Sequence, residues 1–231
     1  LEQLLKTNEY GLVTISYVNS ETGIIQDINK IAELCKQYNC FMHTDATQAW
    51  GKIDLNFNDL QVNLMTLSTH KVSLAKGVGI IITDGRVNLP SLFHGGSQER
   101  GRRAGTENVL SLSTLHVVDD VVKDIISVNK GLKELQEYLE SQVKQINPKA
   151  IIVGEDTIRA SNTSFIISPG LDSQTQVISF DMKDVCVSAG SACSSGDVKE
   201  SSIITALGYS KEDAKCGIRI STGYKTIRKD I

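Results

Sequence analysis

The order of short apolar runs is what most constrains this chain. Residues 12–18, 40–44 and Leu64–Ser68 are apolar, β-favouring and of strand length. Between the first two, Asp27 stands where a helix cap belongs. Ile28, Ile31, Ala32 and Cys35 then recur at helical spacing as far as Tyr38. Strand, helix, strand in that order predicts parallel pairing in a doubly wound layer, which Gly79–Thr83 extends.

Downstream, residues 94–106 form a polar loop in which glycines alternate with Arg100, Arg102 and Arg103. A helical pattern runs over 107–146, with a break expected at Asn129-Lys130-Gly131, and joins two domains. Residues 151–153, Thr163–Ile167, 185–188 and Gly217–Ser221 read as strands of a smaller α/β domain, with a short helix over 199–207. The predicted fold class is therefore α/β: part of a large parallel-sheet domain over 1–125, then a smaller carboxyl-terminal domain over 126–231.

With 231 residues, 40% of them apolar, the chain has enough material for a core. A net charge of −3 with both signs interspersed gives no nucleic-acid or membrane surface, and no apolar run is long enough to span a bilayer. The five cysteines are odd in number and contain no Cys-x-x-Cys, which argues against a disulfide framework or a metal site and for a reducing cytoplasm. Most of them are expected to be buried, inert thiols, Cys186 among them because Val185 and Val187 flank it.

Candidate chemistry gathers at strand ends. The run Leu64-Met65-Thr66-Leu67-Ser68-Thr69-His70-Lys71 reads as a buried strand that delivers Lys71 to its carboxyl end, the edge where open α/β sheets collect ligands. Taken alone, Lys71 reads first as a surface lysine after a strand. In an apolar pocket it would shed its proton and form imines. Asp45 ends the preceding strand, at the same rim. A lysine and an acid so placed meet the needs of pyridoxal phosphate, which takes an imine-forming amine and a carboxylate facing its ring nitrogen. Ser68 and His70 offer groups for a phosphate, and Gln48 a donor for the ring hydroxyl. Thr106 and the arginines of the 94–106 loop offer donors to an anion. Cys193, among small hydroxylated neighbours, is the candidate nucleophile. Arg219, alternating with apolar residues, is a candidate carboxylate grip.

Together these residues resemble a NifS/IscS-type cysteine desulfurase of the fold-type-I pyridoxal-phosphate family. The matching runs are His43-Thr44-Asp45-Ala46-Thr47-Gln48, Leu67-Ser68-Thr69-His70-Lys71, Lys76-Gly77-Val78-Gly79, 94–109, 190–196 and Ile218-Arg219-Ile220-Ser221. The resemblance implies pyridoxal 5'-phosphate bound through Lys71, with Asp45, Gln48, Ser68 and His70 around it. It implies Thr106 reaching the cofactor of a second subunit in a homodimer with shared sites. Arg219 would hold the carboxylate of L-cysteine, and Cys193 would take its sulfur as a persulfide, with L-alanine released. An iron–sulfur scaffold or a sulfur carrier for tRNA thiolation would be the acceptor.

The sequence also departs from that pattern. Ser20 stands where the family has a second Asn, Ser73-Leu74-Ala75 replaces Tyr-Gly-Pro, and Ser221-Thr222-Gly223-Tyr224 replaces Ser-Leu-Gly-Arg. Residues 1–6 read as the end of a helix with no beginning, and Ile231 falls where a last helix would start. The expectation is an incomplete fold-type-I transferase, truncated at both ends and weak or inactive in isolation. The alternative is a catalytically inactive remnant that acts as a dimerising or partner-binding module.

Overall fold

The computed structural model describes residues 1–190 and 200–231, without the side chains of 128–130. The chain forms two compact units. The first comprises Leu1–Tyr17 and Gln26–Ile126, the second Val18–Ile25 and Ser127–Ile231.

The first unit opens with helix α1 (Glu2–Thr7) and is built on a four-stranded sheet in the order β1 (Leu12–Ser16), β2 (Phe41–Asp45), β3 (Leu64–Ser68), β4 (Gly79–Thr83). Helix α2 (Ile28–Gln37) fills the β1–β2 crossover. Asp27 caps it by accepting the Lys30 N–H, and Ile28, Ala32 and Cys35 form its buried stripe. Asn39 then takes a left-handed turn that starts β2.

β1, β2 and β3 pair in parallel as the strand–helix–strand order predicts, but β4 runs antiparallel to β3. Between Ser68 and Gly79 there is only one 3₁₀ turn, Thr69–Val72, and a short loop. Parallel strands need a crossover of roughly a dozen residues or more, so this connection permits only a hairpin-like return. Fully buried Thr69 pins the return by donating its hydroxyl to the carbonyls of Ala75 and Val78. Alternation sends Met42, Thr44, Met65 and Leu67 into the core, and leaves His43, Asp45, Thr66 and Ser68 together on the opposite face.

Past the 94–106 loop come α3 (Val109–Leu112), a 3₁₀ segment (Ser113–Val117) and α4 (Val118–Ile146). The expected break at Asn129-Lys130-Gly131 is absent, and α4 runs straight through it. A mid-helix glycine costs only about 1 kcal/mol, and buried Leu132 and Gln136 just beyond it hold the helix down.

The second unit carries an antiparallel sheet in the order β5 (Ile151–Ile152), β6 (Thr163–Ile167), β8 (Gly217–Ser221), β7 (Ser188–Ala189). Every residue of β6 is buried. Phe165 and Ile167 pack with Val153, Ile204, Ala214 and Cys216, while Ile166 packs with Ala150 and Ile152. The strand expected over 185–188 is shorter and later: left-handed Asp184 and exposed Val185 precede it, and pairing with β8 starts only at Ser188. Among the described residues the unit also carries the short helices α5 (Ser173–Asp181), α6 (Ser202–Ala206) and α7 (Lys211–Ala214). The 18–25 segment belongs here because Ala160 donates to the Gly23 carbonyl, Ile25 donates to Ile158, and Ile24 bridges Arg159. Gly23 has φ +74°, and Thr163 lies 3.1 Å from where its Cβ would be. The buried Arg159–Glu140 pair at 2.7 and 2.9 Å, joined by Ser164 at 2.6 Å, ties this seam to α4.

Candidate active site

In the first unit, Asp45 closes β2. One carboxylate oxygen accepts the Thr47 N–H at 2.9 Å, and the Asp45 carbonyl accepts the Tyr17 N–H at 2.9 Å. Asp45 is in register with Thr66 on β3, and His43 Nε2 lies 3.2 Å from Thr66 Oγ1 on the same face. Burial lowers the pKa of His43, with the Asp45 charge pulling the other way. One turn on, Ser68 Oγ and His70 Nδ1 are 2.8 Å apart. The two groups expected at a phosphate thus meet each other.

Lys71 follows in the 3₁₀ turn, between Thr69 and Val72, both fully buried. Its backbone is anchored on both sides while its side chain is exposed, not enclosed in an apolar pocket. Because β2 and β3 are parallel, the ends that carry Asp45 and this turn form one edge of the sheet. Gln48, in the turn after Asp45, accepts the Lys52 ammonium through its side-chain carbonyl. Thr106 is exposed at the end of the arginine loop, which folds on itself: Arg103 donates to the carbonyls of Gly105 and Thr106. At the opposite edge of the sheet a cleft of about 460 Å³ opens among Phe41, Asn63, Asp84 and Arg86, and no expected site residue lines it.

In the second unit, Arg219 sits on β8, in register with Phe165 on one side and Ser188 on the other. Its Nη1 donates to the Ser20 carbonyl at 3.0 Å and its Nη2 to the Ser188 hydroxyl at 3.3 Å; its Nε is buried with no partner among the described residues. Beside it, Glu21 accepts the Ser201 hydroxyl at 2.6 Å. Burial pushes the Glu21 carboxyl above its ordinary range, while Ser201 and the Arg219 charge pull it back. A Cβ on Gly190 would lie 3.0 Å from the Phe165 ring and 3.3 Å from Glu21 Oε2.

Cys193 lies outside the described residues. Cys35, Cys40 and Cys216 are buried free thiols, but Cys186 is an exposed one. Its valine neighbours sit before the pairing of β7 begins, so apolar flanks do not enclose it. Sequence reasoning also missed Glu21, Ser188 and Ser201. Only Glu21 carried a signal, as a charged residue inside the Asn-Ser-Glu-Thr-Gly turn.

The aminotransferase class-V family model matches residues 1–231. The cysteine desulfurase IscS of Clostridium botulinum strain Hall is 34% identical over 97% of this chain and 57% of its own length. That of Buchnera aphidicola subsp. Schizaphis graminum is 37% identical over 95% of this chain and 54% of its own. The crystal structure of a NifS-like protein from Rickettsia africae superposes with a TM-score of 0.89 at 34% identity, covering 99% of this chain and 61% of that one. The chain thus spans somewhat more than half the length of the relatives it matches.

Proposed function

The chain belongs to the class-V aminotransferase family, and from that premise we propose that it serves a cysteine desulfurase, removing sulfur from L-cysteine to give L-alanine and a persulfide on Cys193. Members of this family depend on pyridoxal 5'-phosphate. The donor set fits that group: an acid, an amine and a hydroxyl–imidazole pair at one edge of β2 and β3. This shared edge is the observation that carries the reading.

In this reading Asp45 would pair with the ring nitrogen of the cofactor and keep it protonated, and Ser68, His70 and Gln48 would hold the phosphate and the ring oxygen. Bound there, the cofactor supplies an electron sink for negative charge at the substrate Cα. Lys71, anchored by its buried neighbours, anchors the cofactor and moves the proton at that carbon. Arg219 takes the substrate carboxylate. Cys193, as thiolate, would attack the substrate sulfur; the S–S bond forms as the Cβ–S bond breaks, and the electron pair left on Cβ takes up a proton to give the methyl group of alanine. Thr106 reaches the cofactor of a second copy in a homodimer, and an iron–sulfur scaffold or sulfur carrier then takes the sulfur. The setting is cytoplasmic, where free cysteines such as Cys35, Cys40, Cys186 and Cys216 persist.

The test is to incubate the protein, purified with pyridoxal phosphate, with L-cysteine and to measure alanine and protein-bound persulfide. Both are expected to form in equal amounts in the first turnover, and to vanish in Cys193→Ala and Lys71→Ala. Alanine formation that survives Cys193→Ala, or no product under any condition, would overturn the reading, the latter in favour of a partner-binding module without catalysis.

A further inference from the structure

Ser20 and Glu21 leave one tight turn and reach two residues far along the chain. Asn19 Oδ1 winds that turn by accepting the N–H of Glu21 at 3.0 Å, the N–H of Thr22 at 2.9 Å and the Thr22 hydroxyl at 3.1 Å. The positions of the Ser20 carbonyl and the Glu21 side chain are thereby coupled. Glu21 is fastened to Ser201, a buried residue whose hydroxyl also caps α6 by accepting the Ile204 N–H. Gly190 leaves the carboxylate the room it needs. The Ser20 carbonyl is thereby presented to Arg219 Nη1.

This wiring bears on charge as well as place. Arg219 is held by two neutral oxygens, from Ser20 and Ser188. Among the described residues no carboxylate forms an ion pair with it. Glu21 is near enough for its charge to be felt, yet its oxygen is engaged by Ser201. The guanidinium is oriented, and its Nε has no partner among the described residues. Such a group is poised for an external carboxylate, which binds a planar guanidinium through two N–H groups.

We propose that Glu21 is a positioning residue: fastened to Ser201, it fixes the Ser20 carbonyl that orients Arg219 toward the carboxylate of an amino-acid substrate. This rests on the desulfurase reading for the identity of that substrate. It also gives position 20 a role that needs no side-chain amide, because the backbone carbonyl makes the contact.

Two variants separate placement from mere stability. Glu21→Ala removes the anchor. Glu21→Gln keeps an oxygen that accepts the Ser201 hydroxyl. With L-cysteine and the cofactor-loaded protein, E21A is expected to raise KM about tenfold with kcat changed less than about twofold, the pattern of lost uniform binding to a charged group. E21Q is expected to stay within about twofold of the parent in both. An unchanged KM in E21A, or an E21Q as impaired as E21A, would overturn the proposal. A second readout needs no turnover: the ¹⁵N-resolved Nε–H signal of Arg219. It is expected to shift or broaden in E21A and to match the parent in E21Q. If that signal ignores E21A, the positioning role fails whatever the kinetics. If it behaves as expected while the parent makes no alanine, the desulfurase reading fails and the positioning stands.

Discussion

Gly217→Ala is a small change with a large predicted effect. Gly217 opens β8, opposite Ile167 on β6. A Cβ there would lie 2.4 Å from both Cε1 and Cζ of Phe165. Comfortable carbon contacts are about 3.5–4.0 Å, so either ring or strand must move by more than an ångström. The ring has nowhere to go: Phe165 is fully buried among Val153, Ile167, Ile204, Ala214 and Cys216. Elsewhere in a strand, exchanging glycine for alanine would gain roughly 0.5–1 kcal/mol from reduced chain entropy. Overpacking costs about 1–3 kcal/mol and wins here. Equilibrium denaturation in urea should therefore show G217A destabilised by a net ~0.5–2 kcal/mol, the overpacking cost less the entropy gain. Phe165→Leu makes room for the methyl, so in that background the same substitution should cost less than about 0.5 kcal/mol. An unchanged or raised stability in G217A, or an equal cost in both backgrounds, would refute the packing argument.

Thiol accessibility should divide the described cysteines sharply. Burial, reinforced by Cys40, pushes the Cys35 thiol up to about 11. Alkylation at about pH 8 should therefore mark Cys186 quickly and spare Cys35, Cys40 and Cys216 until denaturant is added, as peptide mass spectrometry would report. His43 has a lowered pKa when folded, so the unfolded chain binds the proton first as pH falls. Stability should be full above about pH 6.5 and fall as pH drops toward the folded pKa; His43→Gln should lose that slope, and an unchanged acid limb would contradict it. Ser73 ends the turn after Lys71 at φ 62°, a strained setting for a side chain. Ser73→Gly should raise the denaturation free energy by about 0.5–1 kcal/mol, and a loss would show that its side chain does more than fill space.

Local pattern carried much of the fold. β3, β4, β6 and β8 fall at the residues their apolar runs mark out, and α2 starts directly after Asp27 because its cap and stripe are both written in adjacent residues. What depends on partners was hidden. The direction of β4 follows from the length of a connection, not from its own alternation. Helix α5 buries Ser173 and Gln176, so it shows no apolar stripe to find; Gln176 is held by the carbonyls of Leu171 and Cys216. Exposure of Cys186 follows from where β7 starts pairing, which its valine neighbours do not reveal. At the site, the Ser68–His70 pairing and the edge shared with Asp45 are short-range consequences of motif and strand order. The Glu21–Ser201 bond joins residues 180 apart, and no local pattern foretells it.

The most direct measurement is borohydride reduction of the protein after purification with pyridoxal phosphate, followed by peptide mapping. The pyridoxyl group is expected on the peptide that contains Lys71, with the visible absorption band lost on reduction and the labelling weakened in Asp45→Ala. Label on another lysine, or no label while the fold remains intact, would contradict it.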